Sequence, residues 1–520
     1  MAEDVNVLVV GAGPTGLLLA AELNRRGVKV RIIDSHPAPL HWDRATVIHP
    51  RSLEIFESLD ILEPLLAEGV RQRAVRIHSA GRVLGEMDLT TCGSRYGFNI
   101  GISEEVTETI LGDYLEQQGG EVLRVSTLAD LKNCGDSVLA TIQCHGREQQ
   151  VSAQWVVGCD GYHSAVRELA GIAMFGHDIT DPWAVFDVTL AGWPQSYEVT
   201  YAYLEEIPTI LTSLPQRRWR VYVRPSCPDS DLVVDAASTI RHYHPNVEFE
   251  EVTHPSRFNC HAKVAARFRS GRILLAGDAA HVCSPAQGHG MNSGLQDAVN
   301  LAWKLALVCQ GHCSPALLDT FEAERHPVAE QIVASGEAAE ALQSERTEAE
   351  RSTRDEMLRT AFADPATRHH ETVAEAELDI HYGESPIVLG KPHDSLGPGQ
   401  RFPDTIEMAE GEPRLLHQMA FRAGHTALLI GGSSAIHAQL EELYSQILNH
   451  RDAALIEETF VLTSSAVAGS PQRRISQASA DLMGICDMTL LVVRPDGYLG
   501  LRADCDHLNA FTAYQMRLRE

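Results

Sequence analysis

Residues 5–34 read VNVLVVGAGPTGLLLAAELNRRGVKVRIID, a pattern that predicts a strand, a glycine-rich turn, a helix and a second strand. The β-branched and aliphatic run Val5–Val10 is typical of a buried parallel strand. Residues 17–26 continue as a helix, and residues 28–33 form the next strand. We therefore expect an α/β protein that begins with a Rossmann-like unit.

The glycines of this turn have separate physical roles. Gly11 permits the tight turn, Gly13 lets the backbone approach a pyrophosphate, and Gly16 allows close helix–strand packing. The following helix offers free N–H groups and the positive end of its dipole to phosphates, and the carboxylate after the second strand can accept hydrogen bonds from a ribose. We expect cofactor contacts from Gly11, Gly13, Pro14, Thr15, Gly16 and Asp34. The turn alone does not distinguish NAD from FAD, since both contain an ADP half.

Two further motifs follow the same strand-then-turn logic. Residues 153–172, AQWVVGCDGYHSAVRELAGI, place Asp160 and Gly161 after an apolar strand. Residues 271–306, GRILLAGDAAHVCSPAQGHGMNSGLQDAVNLAWKLA, place Gly277 and Asp278 after a strand at 273–276, and a helix is expected to begin at about Asn292. Both aspartates also suit helix N-caps, and that role is compatible with cofactor binding.

The third motif suggests how a flavin is held. Asp278 is placed to bind ribityl hydroxyls, and the backbone of residues 288–292 can present N–H groups to the N1 and C2 carbonyl region of an isoalloxazine ring. Such donors stabilise an anionic reduced flavin. The predicted contacts are Gly277, Asp278, Gly288, Gly290, Met291 and Asn292. Three motifs in this order indicate FAD.

The order GAGPTGL, GCDGYHSAVR and GDAAHVCSPAQGHGMNSGLQDAVNLAWKL resembles the single-component (class A) FAD-dependent aromatic hydroxylases of the para-hydroxybenzoate hydroxylase-like group. Length and tail are similar to the phenol hydroxylase, pentachlorophenol monooxygenase and polyketide hydroxylase branch. The resemblance is specific over about the first 345 residues. It implies a GR2-type FAD-binding domain, an antiparallel-sheet substrate domain and a C-terminal thioredoxin-like domain.

The resemblance also assigns two further cofactor contacts. Arg44 lies in DRATVIHPRSLEIF, which resembles the family's flavin-contacting arginine loop. In GISEEVTETIL, Glu104 stands where the family usually has a cofactor-contacting glutamine. A carboxylate there accepts a hydrogen bond but donates one only when protonated.

Composition agrees with a globular enzyme of two or three domains. The net charge of −27 argues against nucleic acid or an anionic membrane as partner. No apolar run approaches the roughly 20 residues that span a bilayer, and the first core strand starts at once, so we expect a cytoplasmic protein. The 11 cysteines form no CxxC pair and the histidines no metal-binding spacing, so no metal is predicted.

The motifs divide the chain into predicted parts. Residues 1–178 form the first part of the FAD-binding domain, with 76–99 contributing to the substrate domain. Residues 179–264 alternate like an antiparallel sheet that covers the substrate. Residues 265–396 complete the FAD-binding domain and add connecting helices, and the turn-rich stretch near Gly397 begins the C-terminal domain, 397–520. Without a redox cysteine pair, this thioredoxin-like domain is expected to serve structure or dimerisation, and a homodimer is a prediction.

The resemblance implies that NADPH or NADH reduces FAD and that O2 then forms a C4a-hydroperoxide, which hydroxylates a phenolic or other electron-rich aromatic ring. The protein positions the ring, excludes water and assists phenolate formation. The predicted catalytic or pocket residues are Pro285, Tyr203, Tyr222 and His261. Baeyer–Villiger insertion or epoxidation on a polycyclic substrate is an alternative that the same scaffold supports. A reductase or a halogenase is a more remote one, and the WxWxIP stretch expected of a halogenase is absent from the sequence.

Overall fold

The start of the chain folds into the strand, turn and helix that its pattern predicts. The computed structural model describes residues 3–39, 45–344, 347–406, 408, 415–464 and 473–520. Strand β1 (Glu3–Val10) leads into helix α1 (Pro14–Arg25), and strand β2 (Val30–Ile33) returns parallel to β1. The helix begins at Pro14, earlier than expected, because proline suits the first helical position, where no N–H bond is lost.

The remaining strands and helices alternate along the chain. The strands are β3 (Val47–Ile48), β4 (Val70–Gln72), β5 (Ala74–Ser79), β6 (Arg82–Asp88), β7 (Asn99–Gly101), β8 (Val122–Leu123), β9 (Ser126–Asn133), β10 (Val138–Cys144), β11 (Arg147–Gly158), β12 (Met174–Asp178), β13 (Trp183–Ala191), β14 (Val199–Tyr203), β15 (Thr209–Leu214), β16 (Arg218–Val223), β17 (Glu248–Phe258), β18 (His261–Ala265), β19 (Arg269–Ser270), β20 (Ile273–Leu275), β21 (His281–Val282), β22 (His425–Gly431), β23 (Ile456–Thr463), β24 (Arg473–Arg474), β25 (Met488–Val493) and β26 (Leu499–Ala503). The helices are α2 (Pro50–Ser58), α3 (Leu62–Glu68), α4 (Glu104–Gln117), α5 (Ala165–Leu169), α6 (Leu232–Tyr243), α7 (His289–Cys309), α8 (Asp319–Gln343), α9 (Glu348–Ala363), α10 (Pro365–Glu375), α11 (Leu416–Ala420), α12 (His437–His450), α13 (Gln477–Leu482) and α14 (His507–Arg519).

The first sheet brings the three motifs to one edge. Its order is β19-β20-β11-β1-β2-β8, with β10 and β9 added in antiparallel fashion beside β11. Strands β1, β2, β11, β20 and β8 run parallel, so their carboxyl ends, where the motifs begin, meet on the same side. Ligands of open α/β sheets bind at this edge.

The second sheet combines strands from two separate parts of the chain. Its order is β17-β13-β16-β15-β14-β5-β6, so β5 and β6, from residues 74–88, join strands of the 179–264 stretch, in line with the predicted contribution of 76–99 to the substrate domain. It is mostly antiparallel, but β14 and β5 pair in parallel. Strands β12 and β18 leave this sheet and join β21 in a small one of their own. The register is set by burial of one face against α6.

The helices after residue 317 pack on the second sheet and do more than connect. Glu340 on α8 accepts hydrogen bonds from Trp183 Nε1 at 2.9 Å and from the Arg224 guanidinium. On α9, Arg354 Nη2 donates to Leu204 O at 2.7 Å and to Ser79 Oγ at 2.9 Å. These anchors hold α8 and α9 against the end of the sheet.

The C-terminal part is a third sheet, ordered β24-β23-β22-β25-β26, with helices packed on it. It docks on α7 and α8 through fully buried charges. Glu324 accepts from Lys304 Nζ at 2.7 Å and from Arg494 Nη1 at 2.7 Å, and Arg494 Nη2 also pairs with Asp496 at 2.5 Å. Leu389 already bridges to Leu501, so contact with this sheet begins before the expected boundary at 397.

Candidate active site

One large cavity of about 1310 Å³ runs from the β1–α1 turn to the second sheet. Its wall includes residues of all three motifs, one face of β5, β14, β15 and β16, and residues from α8, α9 and α10. Pockets for drug-sized ligands span roughly 300–1,000 Å³, so this cavity has room for more than one such molecule.

The β1–α1 turn leaves no space for side chains at two of its glycines. Gly11 has φ of +101°, and a Cβ there would lie 2.2 Å from Cys159 O. A Cβ on Gly16 would lie 2.0 Å from Gly11 O, so this glycine packs inside the turn and is not among the residues that line the cavity. Gly11, Gly13, Pro14 and Thr15 do line it. The start of α1 therefore faces the cavity, where its N–H groups suit a pyrophosphate.

Asp34 lines the cavity beside the β1–α1 turn, at the end where a nucleotide would bind. We call this the nucleotide end. Asp34 Oδ2 accepts from Ala12 N at 2.7 Å, and its Oδ1 accepts from His36 N at 2.8 Å. These bonds tie the end of β2 to the glycine-rich turn. A carboxylate has about four lone-pair positions, so a ribose hydroxyl can still be accepted alongside both backbone bonds.

In the second motif, Asp160 organises the loop before α5. Its carboxylate accepts from Ser164 Oγ at 2.5 Å and from Val166 N at 3.1 Å, while Ser164 itself is the N-cap residue of α5. Burial raises the pKa of Asp160. Asp160 and Gly161 both line the cavity, and Arg167 connects this motif to the third one by donating to Ala279 O at 3.0 Å.

The third motif depends on an aspartate that its sequence pattern did not single out. Gly277, with φ of +60°, donates its N–H to Asp297 Oδ2 at 3.0 Å and is not among the cavity-lining residues. Asp297 also accepts from Arg325 Nε at 2.6 Å and lies 2.7 Å from His281 Nε2. Burial alone would raise the pKa of Asp297, but Arg325 and His281 lower it to about 2. With Gly277 held in this way, the exposed Asp278 lines the cavity.

Helix α7 begins at His289, three residues before the expected start. Gly288, with φ of +72°, makes the preceding left-handed turn, and Gly288, Gly290 and Met291 line the cavity. Asn292 is fully buried and holds this loop in place: its Oδ1 accepts from His49 N at 3.0 Å, and its Nδ2 donates to Val47 O at 2.9 Å. Asn292 is thus a structural residue beneath the cofactor site, rather than a lining residue.

Of the two further cofactor contacts that the family resemblance assigns, the structure describes only one. Glu104 is the first residue of α4 and lines the cavity, and its Oε2 accepts from Ala45 N at 3.4 Å. It acts as an acceptor, as expected of a carboxylate. Arg44 lies outside the described residues, so its assignment stays a prediction.

Three of the four predicted substrate residues line the cavity. Pro285 does so from the loop before α7, and Tyr222 does so from β16, with its Oη 3.0 Å from Thr46 Oγ1. His261 stacks on Tyr162 with ring centroids 3.9 Å apart, and its Nδ1 lies 2.7 Å from Asp178 Oδ1. These residues come together although they are far apart in the sequence.

Tyr203 is on the wrong side of the sheet for the role we expected. Side chains alternate along β14, and Thr200, Ala202 and Leu204 point into the cavity. Tyr203 therefore points to the opposite face, where it is fully buried and its ring lies 4.7 Å from that of Tyr243. It is a core residue of the second sheet and not a substrate contact in this structure.

The helical wall was missed entirely by the sequence patterns. It is formed by α8, α9 and α10, and its cavity-lining residues include Leu342, Gln343, Leu358, Phe362, Glu371 and Glu375. Leu358 and Phe362 pack with Leu84 of β6 and with Leu204, which follows β14, in a small apolar cluster. Their helical spacing is visible in the sequence, but a charge-rich helix gives no indication of what its apolar face covers.

The geometry fits FAD. A backbone turn with no room for side chains, a helix N-terminus, two carboxylates at Asp34 and Asp278, and the first turn of α7 lie along one continuous cavity. These groups match a pyrophosphate, ribose and ribityl hydroxyls, and the electron-rich edge of a flavin. The fold and site define a flavoprotein.

Comparison with known proteins agrees with this class. Residues 4–335 match the family described as FAD binding domain. The chain is 33% identical to 6-methylpretetramide 4-monooxygenase of Streptomyces rimosus, over 98% of this chain and 93% of that protein. It is 32% identical to pentachlorophenol 4-monooxygenase of Sphingobium chlorophenolicum, over 64% of this chain and 63% of that protein.

The whole fold has a solved counterpart. The crystal structure of a ternary complex of aklavinone-11 hydroxylase with FAD and aklavinone is similar with a TM-score of 0.79 and 25% identity, over 100% of this chain and 99% of that one. The chain belongs to the FAD binding domain family of class A flavin monooxygenases. It is a flavoprotein monooxygenase of the aromatic hydroxylase group that uses FAD and NAD(P)H, and the predictions of cofactor, reaction class and family are confirmed. No helix in the described part of the chain is long and apolar enough to cross a membrane.

Proposed function

We propose that this enzyme hydroxylates a planar, polycyclic aromatic substrate of the polyketide type. The observation that carries the proposal is the single cavity of about 1310 Å³, which continues past the cofactor-binding residues to the second sheet and the helical wall. Relatives whose names specify 6-methylpretetramide and aklavinone support this substrate class. A single phenol ring would leave much of the space unfilled.

Bound FAD supplies hydride acceptance from NAD(P)H and reaction with O2. Separate groups of the chain bind separate parts of the cofactor. The β1–α1 turn holds the pyrophosphate, Asp34 accepts from the ribose, and Asp278 accepts from the ribityl hydroxyls. The first turn of α7 would offer its N–H groups and the positive end of its dipole to the negative charge of the reduced cofactor. Arg44 is proposed as a further cofactor contact.

The substrate is positioned by the other half of the cavity. Pro285, from the loop before α7, and Tyr222, from β16, both border it, and the apolar cluster around Leu358 and Phe362 excludes water from part of its wall. The Tyr222 hydroxyl, paired with Thr46, can exchange a hydrogen bond with a substrate oxygen. His261 and Pro285 complete the proposed contacts, and for Pro285 the backbone carbonyl is the working group.

Anaerobic reduction of the FAD-loaded protein by NADPH tests the proposal. Flavin absorbance is followed after mixing, with and without a panel of single-ring phenols, catechols and polycyclic phenols. We expect a polycyclic phenol to accelerate reduction strongly and to be converted to a product one oxygen heavier when O2 is admitted. Rapid reduction regardless of added aromatic would contradict the proposal and favour a reductase or a Baeyer–Villiger-type oxygenation.

The C-terminal sheet is proposed to be a thioredoxin-like module with a structural role. Its central β22 pairs in parallel with β23 and in antiparallel fashion with β25, and helices α12 and α14 pack together on one face. Its cysteines, Cys486 and Cys505, are both exposed and lie 19 positions apart, which does not suit a redox pair. A homodimer and a cytoplasmic location stay predictions.

A further inference from the structure

The helical wall carries polar side chains that neither the cofactor nor the proposed hydroxylation chemistry has used. Glu371 and Glu375 lie four residues apart on α10, and both line the cavity, so they lie on the same face of the helix. Glu371 is exposed, whereas Glu375 is 9% exposed. Helix α10 therefore presents two carboxyl groups to the cavity.

Glu375 is buried, and few neighbouring groups stabilise its charged form. Its Oε1 accepts from Asn99 Nδ2 at 3.4 Å, a long hydrogen bond, and Asn99 in turn lies 3.3 Å from His49 Nδ1. Among the described residues, no lysine or arginine forms a salt bridge with Glu375. An ionised carboxyl that is buried without a cationic partner is costly, so in that form it needs a hydrogen-bond donor from elsewhere.

Gln343 also has a buried acceptor atom that needs a hydrogen-bond donor. It is the last residue of α8, is 8% exposed and lines the cavity. Its Nε2 donates to Ala339 O at 3.3 Å, but its Oε1 is buried and accepts no hydrogen bond from the described residues. An acceptor in this state indicates a ligand group that donates.

The cationic groups of the cavity lie at the other end. Of the described residues that line it, the only arginine or lysine is Arg124, which is 4.0 Å from Asp34 at the nucleotide end. The substrate half thus offers carboxylate and amide oxygens without a lysine or arginine from the described residues, and its basic side chain His261 is paired with Asp178. This arrangement suits hydroxyl and carboxamide donors and opposes an anion.

We propose that Glu371, Glu375 and Gln343 form a hydrogen-bond-accepting subsite that binds hydroxyl or carboxamide groups of the substrate and rejects aromatic carboxylates. The subsite rests on the proposed polycyclic substrate and makes it more specific: the ring system carries donors, and no ionised carboxyl, on the side that faces α10. Gln343 acts as a specificity residue because its buried acceptor must find a donor in the bound ligand, and Glu375 acts in the same way once it is ionised.

The charge environment of Glu375 is consistent with this assignment. Burial raises its pKa to about 8, although the Asn99 hydrogen bond opposes the rise and the nearby Glu371 adds to it. The other titratable groups near it are Glu377, two residues further on, and His49, which it meets through Asn99. As the pH rises through 8, Glu375 gains negative charge, and rejection of anions is expected to become stronger.

A matched ligand pair tests the subsite. The FAD-loaded enzyme is titrated in a calorimeter at pH 8 with 1,8-dihydroxyanthraquinone and with its 3-carboxylate, which differ only in the ionised group. We expect the uncharged compound to bind at least about tenfold more tightly. Equal affinities would overturn the subsite alone, while failure of both compounds to bind would overturn the proposed polycyclic substrate class on which it rests.

Variants assign the preference to these residues. Glu371→Gln with Glu375→Gln should reduce the preference to about twofold or less, and Glu371→Gln alone, at an exposed position, should reduce it partially. Glu356→Gln on α9, an exposed glutamate paired with Arg359, is the control and should retain the full preference. A full preference in both the single and the double variant would overturn the proposal.

Discussion

The two ends of the cavity are built in different ways. At the nucleotide end, the surface is mostly backbone, and it is fixed by contacts so close that Gly11 and Gly16 cannot carry a Cβ. At the substrate end, the surface includes side chains from β16, the loop before α7, and α10. A backbone surface tolerates almost no change at its contact points, whereas a side-chain surface can be altered residue by residue. Substitutions should therefore act in an all-or-none way at one end and in a graded way at the other.

Gly11→Ala should show the largest effect. The new Cβ would lie 2.2 Å from Cys159 O on a backbone with φ of +101°, so the turn and the adjoining strands must shift. We expect loss of bound FAD and destabilisation by more than about 3 kcal/mol, measured by flavin absorbance and chemical unfolding. Gly27→Ala is the matched control, because its φ is +75° but no atom lies within 4 Å of the added Cβ. It should cost about 1–2 kcal/mol and retain FAD; similar behaviour of the two variants would contradict the backbone account.

Asp278→Ala should rank second. This exposed carboxylate lines the cavity, so its removal should weaken FAD binding by about 10–100-fold through loss of a charged acceptor, with little change in the fold. Fluorescence titration of the apoprotein with FAD measures the change. Asp136→Ala, at an exposed surface turn, is the control. Unaltered FAD affinity in Asp278→Ala would remove this residue from the cofactor site.

The third comparison sets two tyrosines of the same sheet against each other. Tyr222→Phe removes a hydroxyl that faces the cavity, and we expect kcat/KM for the aromatic found in the reduction panel to fall about tenfold. Tyr203→Phe removes a hydroxyl on the opposite face, 3.5 Å from His244 Nε2, and should change kcat/KM by less than about twofold. A larger loss from Tyr203→Phe than from Tyr222→Phe would reverse the assignment of the two faces.

The smallest expected effect concerns stability and pH. Because burial raises the pKa of Glu375 from 4.5 to about 8, the folded state holds a proton that the unfolded state releases. The folded state therefore loses stability as the pH rises from 4.5 to about 8, and the full loss remains above that range. Glu375→Gln lacks this loss, so its Tm relative to the parent should be higher at pH 8 than at pH 5 by roughly 2 °C. Parallel Tm profiles would show that Glu375 is not held in its protonated form.

The same contrast explains what could be predicted from the sequence. A backbone-built site needs glycines at fixed spacing after strands, so Gly11, Asp160 and Gly277 are visible without coordinates. The family resemblance supplied the order of the motifs and the reaction class. Apolar runs at 426–430, 460–462 and 489–493 also predict three of the five strands of the third sheet to within a few residues.

The substrate end was hard to predict from the sequence because its residues come from elements that lie far apart along the chain. Tyr222 and Glu375 are more than 150 positions apart, and no spacing rule relates them. Tyr203 was misplaced because aromatic residues in a sheet look alike whether they face a ligand or a core. The buried Asp297 gave a weak signal, a charged residue within the apolar helix α7, and so did Lys304 on the same helix.

The buried Glu324 joins parts of the chain that lie 170 residues apart. Its carboxylate is neutralised by Lys304 from α7 and by Arg494 from the C-terminal sheet, and all three side chains are inaccessible to solvent. Removing one partner from such a cluster leaves an uncompensated buried charge, at a cost of about 3–5 kcal/mol. A chimaera that took its C-terminal sheet from a relative without an arginine at the position of Arg494 would inherit this cost. The C-terminal sheet and the α7–α8 pair can therefore be exchanged only as one piece.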